Sequence, residues 1–302
     1  MFWLFNLQIY SFVLENVAFS VFFTPHFAQL LIFFVILQFN HTFITIMKSP
    51  LSCKHLYGLI GYPLAHSFSR MYFNNKFEAE GIDAQYINFE IETLELLPQL
   101  IASYPNLQGL NVTAPYKEAV IPYLDSMDDD ARQIGAVNVI KCIRNPRTGD
   151  VIELRGHNSD VVGFGQTVDS LPVAPGTRAM VLGTGGAAAA VKAALISRGI
   201  DVQLVSRRKS EHTLVYEEIT RAMVANHKLI VNATPVGKYP DVDQCPPFPC
   251  RFLTPQHVCY DLIYNPEETL FLKQAASQGA MTKNGLEMLL LQAFDSYQIW
   301  TE

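Results

Sequence analysis

The sequence predicts an α/β fold in two domains, and three observations carry that prediction. From about Tyr57 onward, short apolar strands alternate with helix-patterned stretches. Ala174-Pro175-Gly176 then interrupts the pattern, as a linker does. Directly after it, the buried strand Ala179-Met180-Val181-Leu182 runs straight into glycines. A chain of 302 residues is long enough for two ordinary cores.

The elements follow in order. Leu56 to Gly61 is a short apolar strand, and Ser69 is placed to cap a helix running to about Glu80. Gln85 to Ile91 alternates polar and apolar residues as a half-buried strand does, and a helical stretch follows over Leu94 to Ser103. Gly109 to Thr113 is the next strand, and Pro115 opens a helix at a position where a missing N–H does no harm. Ile134 to Lys141 and Val151 to Arg155 read as two strands joined by the turn Asn145 to Asp150. The second domain reads strand (179–182), helix (187–198), strand (202–205), helix (217–225), strand (229–233) and strand (258–262), a nucleotide-binding fold in outline. An amphipathic helix from Leu286 to Trp300 ends the chain.

Composition excludes several functions. Lys+Arg 22 against Asp+Glu 28 leaves a net charge of -6, with no basic surplus to hold a phosphate backbone, so nucleic acid is not an expected partner. The five cysteines are scattered without paired C-x-x-C spacing, which reads as reduced thiols in a cytoplasmic protein. Cys245 and Cys250 bracket Pro246-Pro247-Phe248-Pro249, a stiff loop in preference to a metal site. Residues 1–47 differ from the rest: they hold no Lys or Arg and one acid, Glu15. Their 18–37 window is about long enough to cross a bilayer, at roughly 20 residues, but contains Pro25-His26 and lacks the basic start of a secretory signal. The sequence favours Met47 as the start, with a mis-assigned extension before it, over a membrane anchor.

Gly183-Thr184-Gly185-Gly186-Ala187-Ala188 fits G-x-G-x-x-A between a strand and a helix, the context a dinucleotide fingerprint requires. Gly183 permits the tight turn, Gly185 lets the backbone approach a pyrophosphate, and Ala188 lets the helix pack close to the sheet. Gly186 and Ala187 open the helix, whose N-terminus favours an anion. The next strand ends in Val205-Ser206-Arg207-Arg208-Lys209, without the carboxylate that would hold a ribose 2′-hydroxyl. Guanidinium groups bind a 2′-phosphate bidentately, so NADP is the expected cofactor. The alternative is a solvated basic loop.

Three polar clusters occupy the first domain. Gly61 to Ser69 puts Ser67 and Ser69 two residues apart beside a helix N-terminus, suited to a carboxylate. Gly109 to Lys117 delivers Lys117 just past the C-terminal end of a strand, where open α/β sheets bind ligands. Gly156 to Asp160 sets a carboxylate at the close of the last strand. Singly, each has a structural explanation: Ser69 and Asp160 as helix caps, Lys117 as surface charge, His66 as a turn or core residue.

Together and in this order, they resemble the shikimate dehydrogenase family from Tyr57 to Trp300. The matching segments are 61–69, 111–117, 134–138, 156–164, 183–188, Asn232-Ala233-Thr234-Pro235, 261–266 and 284–293. The resemblance implies an αβα substrate domain (48–158), a Rossmann NADP-binding domain (159–280), and a C-terminal helix (281–302) returning to the first domain. It implies reversible NADP-linked conversion of 3-dehydroshikimate to shikimate, a step toward chorismate and aromatic amino acids, by a monomer or homodimer. Ser67 and Ser69 would bind the substrate carboxylate, and Thr113, Asn138, Tyr264 and Gln292 would contact it or the ring hydroxyls. Lys117 and Asp160 would be the catalytic pair, and Asn232 to Pro235, with Thr234, and Met288 would line the nicotinamide pocket. The chain departs from the family pattern at Arg70, Phe73, Ser159, Ser206 and Lys238, of which Ser206 and Lys238 stand near the cofactor. The competing readings are a quinate or NAD-preferring relative and a non-catalytic nucleotide sensor, which would have no need of both Lys117 and Asp160.

Overall fold

The computed structural model describes residues 49–64 and 68–302. The hydrophobic extension, His66 and Ser67 lie outside the described residues. The chain divides into two compact units, one ending at Gln108 and one spanning Gly109–Glu302.

In the first unit, β1 (His55–Gly61) and β2 (Ala84–Glu90) pair in parallel, His55 opposite Ala84 through Gly61 opposite Glu90. The helix α1 (Phe68–Ala79) crosses between them and buries Phe68, Tyr72, Phe73 and Phe77. That spacing is the apolar stripe of a helix laid on a sheet. Phe73 is fully buried and stacks on Tyr86 at 4.7 Å between ring centroids. Asn74, its neighbour, grips the backbone of β2 by donating to Tyr86 O and accepting from Tyr86 N, at 2.8 and 2.9 Å. The 3-10 turn Leu94–Leu96, capped by Thr93, leads into α2 (Leu97–Ser103). Ser69 is the second residue of α1 and not its cap. Its hydroxyl is hydrogen-bonded to Tyr86, whose phenol complete burial pushes well above its ordinary pKa.

The second unit holds part of one sheet and the whole of another. The first takes in β3 (Leu107–Val112), β4 (Ser126–Met127), β5 (Val139–Arg144) and β6 (Val151–His157). β5 runs antiparallel to both β3 and β6, whereas β4 and β6 are parallel. The antiparallel pairing departs from a mainly parallel expectation because β5 and β6 are joined directly by the Asn145–Asp150 turn, too short for a crossover. The one-turn helix α3 (Tyr116–Ala119) follows β3.

The strand expected from Ile134 begins only at Val139. The residues before it form α4 (Asp129–Ile134), which Asp128 caps by accepting from Ala131 N and Gly135 ends at φ 72°.

In the second sheet the order is β12 (Met281–Lys283), β11 (Val258–Asp261), β10 (Leu229–Asn232), β7 (Arg178–Leu182), β8 (Asp201–Ser206), β9 (Thr213–Val215). All five pairings are parallel. Counted from β7, this is the 3-2-1-4-5-6 order of a Rossmann fold, with its topological switch between β7 and β10. Successive β7 residues face opposite layers: Ala179 and Val181 pack with Val191, Phe164 and Tyr260, whereas Met180 and Leu182 pack with Phe271 and Leu272. The helices are α5 (Ser159–Asp169), α6 (Gly186–Ile196), α7 (Arg221–Asn226), α8 (Leu270–Ser277) and α9 (Leu286–Thr301). The helix expected over 217–225 is a 3-10 turn, Tyr216–Glu218, followed by α7, because Thr220 accepts from Met223 N and starts a new helix there.

α9 packs along α5 and reaches the first sheet. Trp300 donates to Ile140 O at 3.0 Å. A Cβ on Gly109 would sit 2.2 Å from the Trp300 indole, so β3 needs glycine there for α9 to dock. Among the described residues, no helix is long and apolar enough to cross a membrane.

Candidate active site

The site grows from the C-terminal ends of strands in both sheets of the second unit. β3 ends at Val112, and half-buried Thr113 opens a turn by accepting from Tyr116 N at 2.9 Å. That turn starts α3 and projects Lys117, whose backbone carbonyl is held by Val137 N at 2.7 Å. β6 ends at His157. Asn158 caps α5 by accepting from Val161 N and donates to Ala136 O at 2.8 Å. Asp160 is therefore the second residue of the helix, not its cap, and its carboxylate is available for another partner.

That partner is Lys117. Its Nζ stands 2.5 Å from Asp160 Oδ2, with the side chains 20% and 8% exposed. Asn138 donates to the other oxygen, Asp160 Oδ1, at 2.9 Å, and accepts from Ser159 N at 2.7 Å. One carboxylate oxygen thus takes the ammonium and the other an amide, which fixes the plane of the carboxylate. The network extends inward: Ser159 Oγ meets Ser296 Oγ at 3.0 Å and donates to Gln292 Oε1 at 3.4 Å. Asn111 donates to Ser296 Oγ at 3.0 Å. Ser296 in turn donates to Gln292 O one helical turn back, at 2.8 Å. Asn111, Asn158 and Ser296 were not anticipated. The signal for Ser296 is its spacing of four from Gln292, which puts both on one face of α9.

The glycine-rich turn stands against this pair. A Cβ on Gly186 would lie 3.1 Å from Lys117 Cβ and 3.2 Å from Ala136 Cβ. Gly183 has φ 116° and its added Cβ would meet Ala233 O at 3.1 Å, so the turn after β7 and the turn after β10 touch across the switch point. Gly185 caps α6 and has open space where a Cβ would be, the cradle a pyrophosphate requires. Ala187 follows in the first turn of α6, and Ala188 is buried against the sheet. Thr234 is held by Asn232, which accepts from its backbone N and its hydroxyl at 3.0 and 2.6 Å. Asn232 donates to buried Asp261 at 3.0 Å. Burial raises the Asp261 carboxyl to about 6, against the opposing hydrogen bonds from Thr269, Ile263 N and Asn232.

At the end of β8, Ser206 Oγ accepts from Arg208 N at 3.3 Å. Arg207 and Arg208 are exposed and form no ion pair among the described residues, whereas Lys209 is paired with Glu218. Two guanidinium groups therefore remain for a 2′-phosphate, and the residues present fit NADP. Met288 is buried in α9 at its contact with Gly163 of α5, where an added Cβ would meet Met288 O at 2.9 Å. Tyr264 lies in the loop after β11, half-buried, its phenol pKa raised by burial. Among the described residues no cluster of three His, Cys, Asp or Glu side chains is arranged to hold a metal ion.

A Rossmann sheet with a glycine cradle, faced by a lysine–carboxylate pair, defines the class: a dinucleotide-dependent oxidoreductase. Comparison with known proteins narrows it. Residues 59–140 match the family model described as the shikimate dehydrogenase substrate binding domain. A shikimate dehydrogenase (NADP(+)) of Desulforamulus reducens is 36% identical over 268 residues, covering 81% of this chain and 89% of that protein. The crystal structure of shikimate 5-dehydrogenase from Thermus thermophilus in complex with NADP(H) and shikimate superposes with TM-score 0.70 at 30% identity, covering 82% of this chain and 93% of that one. The ligand-free 5-ketofructose reductase of a Gluconobacter strain superposes with TM-score 0.69 at 29% identity, covering 82% and 93%. The chain belongs to the shikimate dehydrogenase family.

Proposed function

We propose that this protein is an NADP-linked shikimate dehydrogenase, interconverting 3-dehydroshikimate and shikimate. The observation that carries the reading is the Lys117–Asp160 contact at 2.5 Å beside the Gly183–Gly186 turn. When bound, NADP supplies the hydride acceptor or donor at the ring carbon that carries the oxygen. The chain must handle the accompanying proton. Lys117 Nζ exchanges it with the substrate oxygen and, as a cation, stabilises alkoxide charge that develops there. Asp160 orients the ammonium and accepts from the substrate hydroxyl, and Asn138 keeps the carboxylate plane fixed.

Ser67, Ser69, Thr113, Tyr264 and Gln292 bind the carboxylate and the remaining ring hydroxyls. Arg207 and Arg208, with Ser206, hold the 2′-phosphate, Gly183 to Ala187 the pyrophosphate, and Thr234 with Met288 the nicotinamide. In this reading residues 48–158 form the substrate domain, 159–280 the NADP domain and 281–302 the returning helix. The protein acts in the cytoplasm, as a monomer or homodimer, on small molecules alone.

Purified protein tests this by NADPH formation at 340 nm, which is about the absorbance maximum of the reduced nicotinamide that carries the hydride. Shikimate with NADP is expected to give the highest kcat/KM among the four pairings of shikimate or quinate with NADP or NAD. A preference for quinate or for NAD would replace the assignment by the corresponding relative. No turnover with any pairing would leave a nucleotide-binding protein without this activity.

A further inference from the structure

Gln292, assigned above to the substrate, stands in front of a buried pair of hydroxyls. Its amide is tied back at Nε2, which donates to Leu289 O at 2.9 Å. Its Oε1 faces Ser159 Oγ at 3.4 Å. Ser159 and Ser296 are fully buried, with their hydroxyl oxygens 3.0 Å apart. Each hydroxyl accepts one amide N–H: Ser159 from Asn138 at 2.9 Å, Ser296 from Asn111 at 3.0 Å. Each has a single proton to give. Three contacts call for one: Ser159 to Gln292 Oε1 at 3.4 Å, Ser159 with Ser296 at 3.0 Å, and Ser296 to Gln292 O at 2.8 Å. Two protons cannot fill three contacts, and the longest lies beyond the ordinary O–H···O range of about 2.5 to 3.0 Å. The protons therefore go to the shorter two: Ser159 gives its own to Ser296, and Ser296 gives its own to Gln292 O.

We propose that Ser296 is a positioning residue for substrate binding: by drawing the Ser159 proton to itself, it keeps Gln292 Oε1 open to accept from a substrate hydroxyl. The inference rests on the assignment of Gln292 to the substrate and names what keeps that amide available. Without the Ser296 hydroxyl, the Ser159 proton has one acceptor left in the network, Gln292 Oε1. A buried O–H takes the partner within reach, since no water competes for it. The glutamine oxygen is then occupied from behind, and a substrate hydroxyl has to displace that bond to reach it. The catalytic pair keeps its support throughout, because Asn138 still donates to Asp160 Oδ1 at 2.9 Å and still accepts from Ser159 N at 2.7 Å. Removing Ser159 Oγ has the opposite consequence from removing Ser296 Oγ, because it takes away the one proton that competes for Gln292.

The test is the KM for shikimate, with kcat and the KM for NADP alongside, in the full-length protein and in Ser296→Ala, Ser159→Ala, the double variant and Gln292→Ala. Ser296→Ala is expected to raise the KM for shikimate by roughly three- to tenfold, the scale of one hydrogen bond, with much smaller changes in kcat and in the KM for NADP. Ser159→Ala is expected to stay within about twofold of wild type in the same KM, well below the effect of a lost hydrogen bond. Adding Ser159→Ala to Ser296→Ala is expected to bring the KM back toward wild type. A cluster that only holds the fold together gives the reverse, each deletion adding to the last. A double variant whose KM equals or exceeds that of Ser296→Ala would overturn the proposal. So would a Ser159→Ala protein whose KM rises as far as that of Ser296→Ala, a comparison with the three- to tenfold expectation that Ser159→Ala carries alone if Ser296→Ala does not fold. Gln292→Ala separates the two ways of failing. If it raises the KM for shikimate and Ser296→Ala does not, this inference alone falls; if it leaves that KM unchanged, the assignment of Gln292 falls and takes the inference with it.

Discussion

The buried Asp261 carboxyl makes the stability of the second unit depend on pH in a direction opposite to that of most carboxylates. Its pKa in the fold is about 6 against an ordinary 3.8, raised first of all by burial. The folded protein therefore binds this proton more tightly than the unfolded chain. Stability from Asp261 is fully present below pH 3.8 and is lost as pH rises through 6. A shift of roughly 2 units corresponds to about 3 kcal/mol in all, of which roughly half is lost between about pH 5 and about pH 7.5. Asp261→Asn keeps the shape and retains an oxygen to accept from Asn232 and Ile263 N. Its amide replaces the proton that the carboxyl would have to hold. Urea unfolding at both pH values, for wild type and variant, isolates the effect, because Asp295, whose carboxyl burial also raises to about 6, is common to both proteins. The variant is expected to gain about 1.5 kcal/mol relative to wild type on going from about pH 5 to about pH 7.5. A difference that is flat with pH, or that grows toward low pH, would refute the reasoning.

Three further outcomes follow from the geometry. Ser296→Ala removes the hydroxyl that joins Asn111 and Ser159, leaving buried groups short of a partner; a loss of about 1–3 kcal/mol is expected by denaturant unfolding. Gly163→Ala puts a Cβ 2.9 Å from both Gln292 N and Met288 O, backbone atoms that cannot swing aside. It should cost about 1–3 kcal/mol and raise the KM for NADP through displacement of Met288. Arg207→Ala with Arg208→Ala should raise the KM for NADP by roughly tenfold or more, the scale of lost hydrogen bonds to a charged group, and leave the KM for NAD unchanged. Equal effects on both cofactors would remove these residues from the 2′-phosphate.

Much of this was legible in the sequence because the informative residues are constrained by backbone chemistry. A glycine with φ 116° after a buried strand leaves a mark in any chain of this fold, and Gly183 to Ala188 sit where the pattern put them. Lys117 and Asp160, by contrast, are 43 residues apart in sequence, and only the resemblance to a family joined them before the geometry did. The misses have physical causes. Asn111 and Ser296 share their elements with other polar residues such as Gln108 and Asp295, and only the partners that the fold brings to them mark them as buried and bonded. Gly135 was read within a strand, although its left-handed conformation ends α4. Asp160 and Ser69 were each read as a cap although each is the second residue of its helix, because the bonded side chain at the first of these ends is Asn158. Propensity ranks Asn, Ser and Asp alike at such positions. β9 and β12 are three-residue strands at the two edges of their sheet, too short to show a pattern of their own.

The central claim is that Lys117, held by Asp160, moves the proton that accompanies hydride transfer. It is tested most directly by the pre-steady-state rate of NADPH formation from shikimate across the pH range, for wild type, Lys117→Ala and Asp160→Asn, with NADP affinity measured in parallel. Both variants should bind NADP as wild type does and lose roughly a hundred- to ten-thousandfold in rate, the range for a positioned acid–base group. Turnover within a few-fold of wild type in Lys117→Ala, at any pH, would contradict the account.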